Sequence, residues 1–258
     1  MAIQQYLGFS YAGIESSEHG IVNVNIRTGL LTEPLVPNRI LRETEVRGRA
    51  RPYFHEIQLS PRVMNLSFAF MEKWREEEED KLREVVNWLC GQDYYKPFYF
   101  IEEPDRIYYV LVIDNPELVH NAAWSGYMNL TLRANSPYAY SQVQESEEPI
   151  VCSGTTDFMF ENEGDILLKP LMEIFTISAG DISIINESDN DREFSLTGLA
   201  DAETIYIDND NQFIETDIYM TYRYGNHNNV FLELLPGENN LKVLGNCQLR
   251  FRYQFIYR

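Results

Sequence analysis

Cysteine is scarce in this chain. Its 258 residues hold three, Cys90, Cys152 and Cys247. They are odd in number and far apart, which fits neither a disulfide framework nor a zinc pattern. They read as buried free thiols, in keeping with synthesis in a reducing cytoplasm. Positive charge is short as well: 21 Lys and Arg face 40 Asp and Glu, a net charge of −19. That field favours solubility and disfavours broad binding to nucleic acid or anionic lipid. No apolar run approaches the roughly 20 residues that span a bilayer, so no membrane insertion is expected. The N-terminus, Met1-Ala2-Ile3-Gln4-Gln5, lacks the basic and apolar regions of a signal peptide.

The motifs of catalysis are missing too. There is no Walker A sequence, Gly-rich dinucleotide loop, His-Glu-x-x-His pair or Gly-x-Ser-x-Gly elbow. The four histidines, His19, His55, His120 and His227, are isolated in sequence. Asp189-Asn190-Asp191 and Asp208-Asn209-Asp210-Asn211 lack the Gly at six and Glu at twelve of a calcium loop and read as tight turns. Nothing singles out a carboxylate pair for glycoside hydrolysis. No catalytic residue, metal ligand or cofactor is expected, and the chain is not read as an enzyme.

What is present points to β structure. Aromatic residues make up 13%, with 17 Tyr and 14 Phe. Met64, Leu66, Phe68 and Phe70 alternate with Asn65, Ser67 and Ala69. Ile107, Tyr109, Leu111 and Ile113 share a face, and Met128, Leu130 and Leu132 alternate with Asn129, Thr131 and Arg133. These are half-buried antiparallel strands. One helix is expected over about 72–90, with Leu82, Val85, Val86 and Leu89 as its apolar stripe and Gly91 just past its end. Its acidic run, Glu76 to Asp80, reads as a solvated face that complements the helix dipole.

Residues 136–149 change character and suit an interdomain connection, which divides the chain into 1–141 and 142–258. The first part is α+β, built on a sandwich or barrel. The second reads as an all-β sandwich, with strand candidates at Ile182–Ile184, Phe194–Leu196, Thr204–Ile207 and Val230–Leu235. In its last strand Cys247, Leu249, Phe251, Tyr253, Phe255 and Tyr257 alternate with mostly polar residues. Between them, Asn186–Asp191, Asp208–Asn211, Gly225–Asn229 and Pro236–Asn240 read as turns.

One region stands apart. Residues 36–54 carry Arg39, Arg42, Arg47, Arg49 and Arg51 in an otherwise acidic protein, with a proline near each end. It reads as a long loop or projecting hairpin. A contact with an acidic neighbouring surface and an ordinary solvated loop explain it equally well. Glu43 and Glu45 within the run weaken a nucleic-acid reading.

The order of these features resembles the distal tail protein (Dit) family of long-tailed siphophages and related prophages. The resemblance runs through Phe9-Ser10-Tyr11-Ala12-Gly13-Ile14-Glu15-Ser16, the arginine-bearing loop, Leu66-Ser67-Phe68-Ala69-Phe70 and Val86-Asn87-Trp88-Leu89. It continues through Lys96 to Val110, Gly126 to Leu132 and Ser136 to Ser141. Asn162-Glu163-Gly164, Ile205-Tyr206-Ile207-Asp208 and Leu235 to Asn240 extend it into the second part. The resemblance implies a mainly β fold: a tail-tube-like β-sandwich or barrel with one helix and a projecting arm, followed by a galectin-like β-sandwich. It also implies a structural hub at the virion tail tip, assembled in the host cytoplasm. In that picture a homo-hexameric ring is embraced by its arms and has a central channel for DNA. Its partners are the tail tube protein, the tape measure protein, the tail-associated lysin or spike and sometimes receptor-binding proteins, with no sequence-specific nucleic acid. The five arginines would serve the inter-subunit arm. Carbohydrate binding by the second domain is the alternative reading, with Tyr219, Tyr222 and Tyr224 as a sugar platform. Against it, that domain has no Trp, and His227-Asn228-Asn229-Val230 departs from the galectin His-x-Asn-x-Arg order.

Overall fold

Ala12 and Gly13 both take positive φ, 54° and 83°, the signature of a type I′ turn. They join β1 (Phe9–Tyr11) to β2 (Ile14–Glu15) in the first hairpin among the described residues. The computed structural model describes residues 8–24, 37–70, 79–114, 116–121 and 125–258. Val36, Trp74, Glu76 to Glu78 and Trp124 lie outside the described residues. The chain divides into two units, one running to Tyr140 and the other Ser141–Tyr257.

In the first unit follow β3 (Ile21–Asn23), β4 (Arg39–Thr44), β5 (Tyr53–Leu59), β6 (Val63–Phe70), the helix α1 (Glu79–Cys90), β7 (Lys96–Phe100) and β8 (Tyr108–Val112). Then come β9 (Glu117–Asn121), β10 (Ser125–Ala134) and the short β11 (Ala139–Tyr140). Eight strands make one antiparallel sheet in the order β2-β1-β7-β8-β10-β6-β3, with β9 also paired to β10. Strand alternation on β6 and β10 works as expected: Met64, Leu66, Phe68, Met128, Leu130 and Leu132 are buried. On β8 the buried face is Tyr108 and Val110, and Ile113 is exposed. Both faces of that segment are apolar, so period two alone does not choose between them.

Residues 72–78 of the expected helix lie outside the described residues. Within α1, Val85, Trp88 and Leu89 are buried, but Val86 is exposed. Trp88 takes its place on the stripe because the larger ring reaches the core. Its Nε1–H donates to the Tyr11 carbonyl at 2.9 Å, and its ring stacks on Phe9 at 5.8 Å. Gly91 ends the helix, donating from its N–H to Asn87 O at 2.9 Å. A Cβ there would meet the same oxygen at 2.4 Å, so the close approach requires glycine.

The second unit holds β12 (Gln144–Glu145), β13 (Ile150–Cys152), β14 (Thr155–Asn162), β15 (Leu171–Thr176), β16 (Gly180–Asn186) and β17 (Arg192–Leu199). After them come β18 (Thr204–Asp208), β19 (Phe213–Thr216), β20 (Gly237–Leu244), β21 (Cys247–Tyr253) and β22 (Ile256–Tyr257). One sheet runs β12-β21-β15-β18-β19 with β13 also on β21; the other runs β14-β20-β16-β17. Ile174, Ile205, Leu249 and Phe251 from the first sheet and Ile184, Phe194, Leu196 and Val243 from the second share one core. This is a β-sandwich. The chain is thus mainly β, with a single α-helix among the described residues.

Two expectations need correction here. Val230–Leu235 is not a strand. Apart from the isolated Leu168–Leu234 bridge it is irregular, and buried asparagine side chains satisfy its backbone instead. Asn209 accepts from Leu232 N–H at 2.8 Å, and Asn239 accepts from Leu235 N–H at 2.8 Å. Asn162 and Asn186 donate to Leu234 O and Glu233 O at 3.1 Å each. Second, Gly237 to Asn240 is not a turn but the start of β20. The Asp208 turn does form: its carboxylate accepts from the Asp210 and Asn211 N–H groups.

Candidate functional site

The arginine-bearing segment folds as a two-stranded hairpin. β4 pairs with β5 alone, so the ribbon is exposed on both faces. Leu41 stands opposite Ile57 and Glu43 opposite Phe54, with a bulge between Arg42 and Glu43. Alternation puts Leu41, Ile57, Phe54 and Leu59 on one side, with Arg39 and Glu43 among them. Arg42, Glu56 and Gln58 lie on the other, with Ile40 and Tyr53. Leu41 is 54% exposed and Phe54 62%. The first side is the richer in large apolar residues, and Leu41, Phe54 and Ile57 stand exposed on it.

The arginines are not gathered into one patch. Arg42 is pinned to Gln58, its Nε and Nη2 donating to Oε1 at 3.1 and 2.8 Å. Arg49 lies over the Tyr53 ring, 3.7 Å from its centroid. Arg39, Arg47 and Arg51 are exposed and make no side-chain bond among the described residues. The apolar side was missed in the sequence because the bulge at His55 breaks the period of two.

In the second unit the loop 217–223 is tied down at both ends. Asp217 accepts from Thr204 N–H at 3.0 Å. Arg223 pairs with the buried Glu203 at 2.6 Å. Between these anchors Tyr219, Met220 and Tyr222 stand out, Tyr219 at 89% exposure. Tyr224 is set apart: its Oη accepts from Ile214 N–H at 3.0 Å. No ring contact joins the three tyrosines among the described residues.

Sequence reasoning also passed over the outer face of the larger sheet. Register places Glu145, Arg252, Leu171, Asp208 and Phe213 in one row and Arg250, Glu173 and Tyr206 in the next. A hollow of about 270 Å³ lies along these rows. Glu145, Glu173, Arg250 and Arg252 make no ion pair among the described residues. The signal was available in the polar positions of the last strand, but only pairing reveals what stands beside them.

No group of three or more His, Cys, Asp or Glu suited to a metal occurs among the described residues. No described helix is long and apolar enough to cross a membrane. His227 is buried, with Nε2 bonded to Val230 O at 3.2 Å and Nδ1 without a partner. Burial pushes its pKa down, and the Val230 bond opposes this only in part. It lies between Phe194 and Phe231 as a core residue.

Comparison with known proteins agrees with this architecture. Residues 5–136 match a family described as phage tail protein N-terminal domain, and residues 138–253 match phage tail C-terminal domain. An uncharacterized SPbeta prophage-derived protein, YomH of Bacillus subtilis (strain 168), is 33% identical over 249 residues, covering 96% of this chain and 97% of its own. Among solved structures, the Dit protein of phage SPP1 superposes with a TM-score of 0.70 at 13% identity, covering 97% of this chain and 100% of that one. That protein is described as a paradigm of the hub adsorption apparatus of phages infecting Gram-positive hosts. A chain of the phage P2 baseplate superposes at 0.47 and 6% identity, over 93% of this chain and 92% of that one. With both of its parts matched and a relative aligned along nearly its whole length, the chain belongs to the phage tail protein family and has a Dit-like fold.

Proposed function

We propose that the protein is the structural hub of a phage tail tip, a homo-hexameric ring without catalysis. The first unit forms the ring around a DNA channel, and the second unit is a galectin-like sandwich. The ring joins the tail tube and tape measure proteins to the tail-associated lysin or spike. The β4–β5 ribbon carries this reading. An exposed two-stranded ribbon with an apolar side is poorly stable by itself, and a neighbouring copy supplies the missing cover. A heterologous contact of this kind repeats around a closed ring. Exposed ion pairs contribute only about 0–1 kcal/mol each, so Leu41, Phe54 and Ile57 carry more of the contact than the arginines.

Light scattering tests it. Six copies of 30.2 kDa give about 181 kDa, and a chain lacking residues 39–58 is expected at the mass of one copy. A monomer that stays monomeric beside its tail tube protein would overturn the ring. A hexamer without the ribbon would overturn the ribbon's role.

The outer sheet face favours a second reading, adhesion to a host-surface saccharide. Tyr206 and Phe213 offer rings for sugar faces, and Arg250, Arg252, Glu145 and Glu173 offer planar groups for hydroxyls. A glycan array with the full chain tests it against Tyr206→Ala and Tyr219→Ala variants. Absence of retention at high protein concentration removes this reading and leaves the hub intact.

A further inference from the structure

Cys152 and Cys247 stand directly opposite each other on β13 and β21. Both are free, and neither has exposed surface. Residues directly opposed across an antiparallel pair share one face, with Cα atoms about 4.5 or 5.5 Å apart. A disulfide spans Cα separations of about 4.4–6.8 Å, so either kind of pair fits. The Cys152 thiol donates from Sγ to Ile150 O at 3.8 Å, within its own strand. Cys152 lies on the three-residue strand β13 and is reached first when that strand opens, which makes it the nucleophile and Cys247 the resolving thiol.

We propose that Cys152 and Cys247 are a cross-strand disulfide site, closed by thiol–disulfide exchange with a small disulfide of the glutathione type. The Cys152 thiolate attacks one sulfur of the oxidised glutathione. That S–S bond breaks, and one glutathione leaves as a thiolate and takes up a proton. Cys247 then loses its proton to solvent and attacks the Cys152 sulfur, and the second glutathione leaves. Two protein thiols are oxidised by two electrons, and one small disulfide is reduced to two thiols. Access comes through β13, a three-residue strand at the margin of its sheet, where local opening costs less than global unfolding. A reducing cytosol keeps the pair open, and oxidising surroundings close it. The closed bond links β13 to β21 across most of the second unit, the long-loop case in which a cross-link constrains the unfolded chain most.

The test uses the full chain, reduced and then incubated with oxidised glutathione in mild guanidinium so that β13 opens. After acid quenching, thiols are counted in denaturant and the intact mass is measured. The three titratable thiols are expected to fall to one, with a mass loss of two hydrogens and a peptide joining Cys152 to Cys247. A Cys90→Ser variant keeps the reaction, and Cys152→Ser abolishes it. Three persisting thiols, a retained glutathione adduct, a link through Cys90 or a link between two chains would each overturn the proposal. The wild-type readout stands even where a variant fails to fold.

Discussion

Arg223 grips Glu203 with two parallel bonds, Nη2 to Oε2 at 2.6 Å and Nε to Oε1 at 2.7 Å, around a carboxylate with no exposed surface. Ala200 N–H and the Thr216 hydroxyl complete its coordination at 2.8 and 2.6 Å. Removing only the cation leaves a buried carboxylate without its partner. Arg223→Met is expected to cost the second unit about 3–5 kcal/mol, and pairing it with Glu203→Leu should recover part of that loss. Urea denaturation of both variants measures the difference. An Arg223→Met chain as stable as wild type would show that water already reaches Glu203.

The same carboxylate sets an acid limit. Burial raises its pKa, but the bonds from Arg223, Thr216 and Ala200 outweigh it, and the net shift is downward. Its contribution is therefore full above the ordinary glutamate value, about 4.3, and is lost as pH falls through the lower, folded value. Urea midpoints between pH 6 and pH 3 should fall less steeply in Glu203→Gln than in wild type.

His227 works in the same direction at higher pH. Its pKa in the folded chain lies below the ordinary 6.5, chiefly through burial. Charging it opposes the fold, so its contribution holds above the unfolded value and fades as pH falls below it. An NMR titration of the ring should place its midpoint below 6.5. A midpoint above that value would mean that a carboxylate, not Phe194 and Phe231, faces the imidazole.

The ribbon gives a prediction that separates assembly from folding. Leu41 and Phe54 are exposed, so Leu41→Asp with Phe54→Asp should leave the melting temperature of the free chain nearly unchanged, within about 0.5 kcal/mol of stability. Light scattering should then show the mass of one copy in place of the proposed hexamer. Replacing Arg39, Arg47 and Arg51 together should weaken it less.

Asn239 makes three bonds to backbone groups and one to another side chain. Its Oδ1 accepts from Leu235 N–H, its Nδ2 donates to Leu235 O and Gly237 O, and Asn186 Nδ2 donates to its Oδ1 at 3.0 Å. Asn239→Ala strands buried polar groups, and a loss of about 2–3 kcal/mol is expected by denaturant unfolding. A smaller loss would mean that water fills the site.

Strands with one polar face were legible in the sequence. Met64, Leu66, Phe68 and the Met128 series are buried as their alternation requires. The β8 face was not, because Tyr109 and Leu111 look as apolar as Tyr108 and Val110. Val230–Leu235 misled for another reason. Its composition is that of a strand, but asparagines distant in sequence take up its backbone, and nothing local records that. At the candidate site the arginines were conspicuous as charge in an acidic chain. Leu41, Phe54 and Ile57 were hidden by one bulge, and the rows around Tyr206 and Arg250 exist only once five strands are placed side by side.

The margins of the larger sheet of the second unit are built from small pieces. On one side β21 is covered by β12, two residues long, and β13, three residues long, with Pro149 between them. The other side ends in β19, four residues long. Interrupted borders of this kind present no continuous row of free amides for a foreign strand to join. The larger sheet of one copy is thus kept from growing into that of the next, whereas the smaller sheet ends in the longer strands β14 and β17.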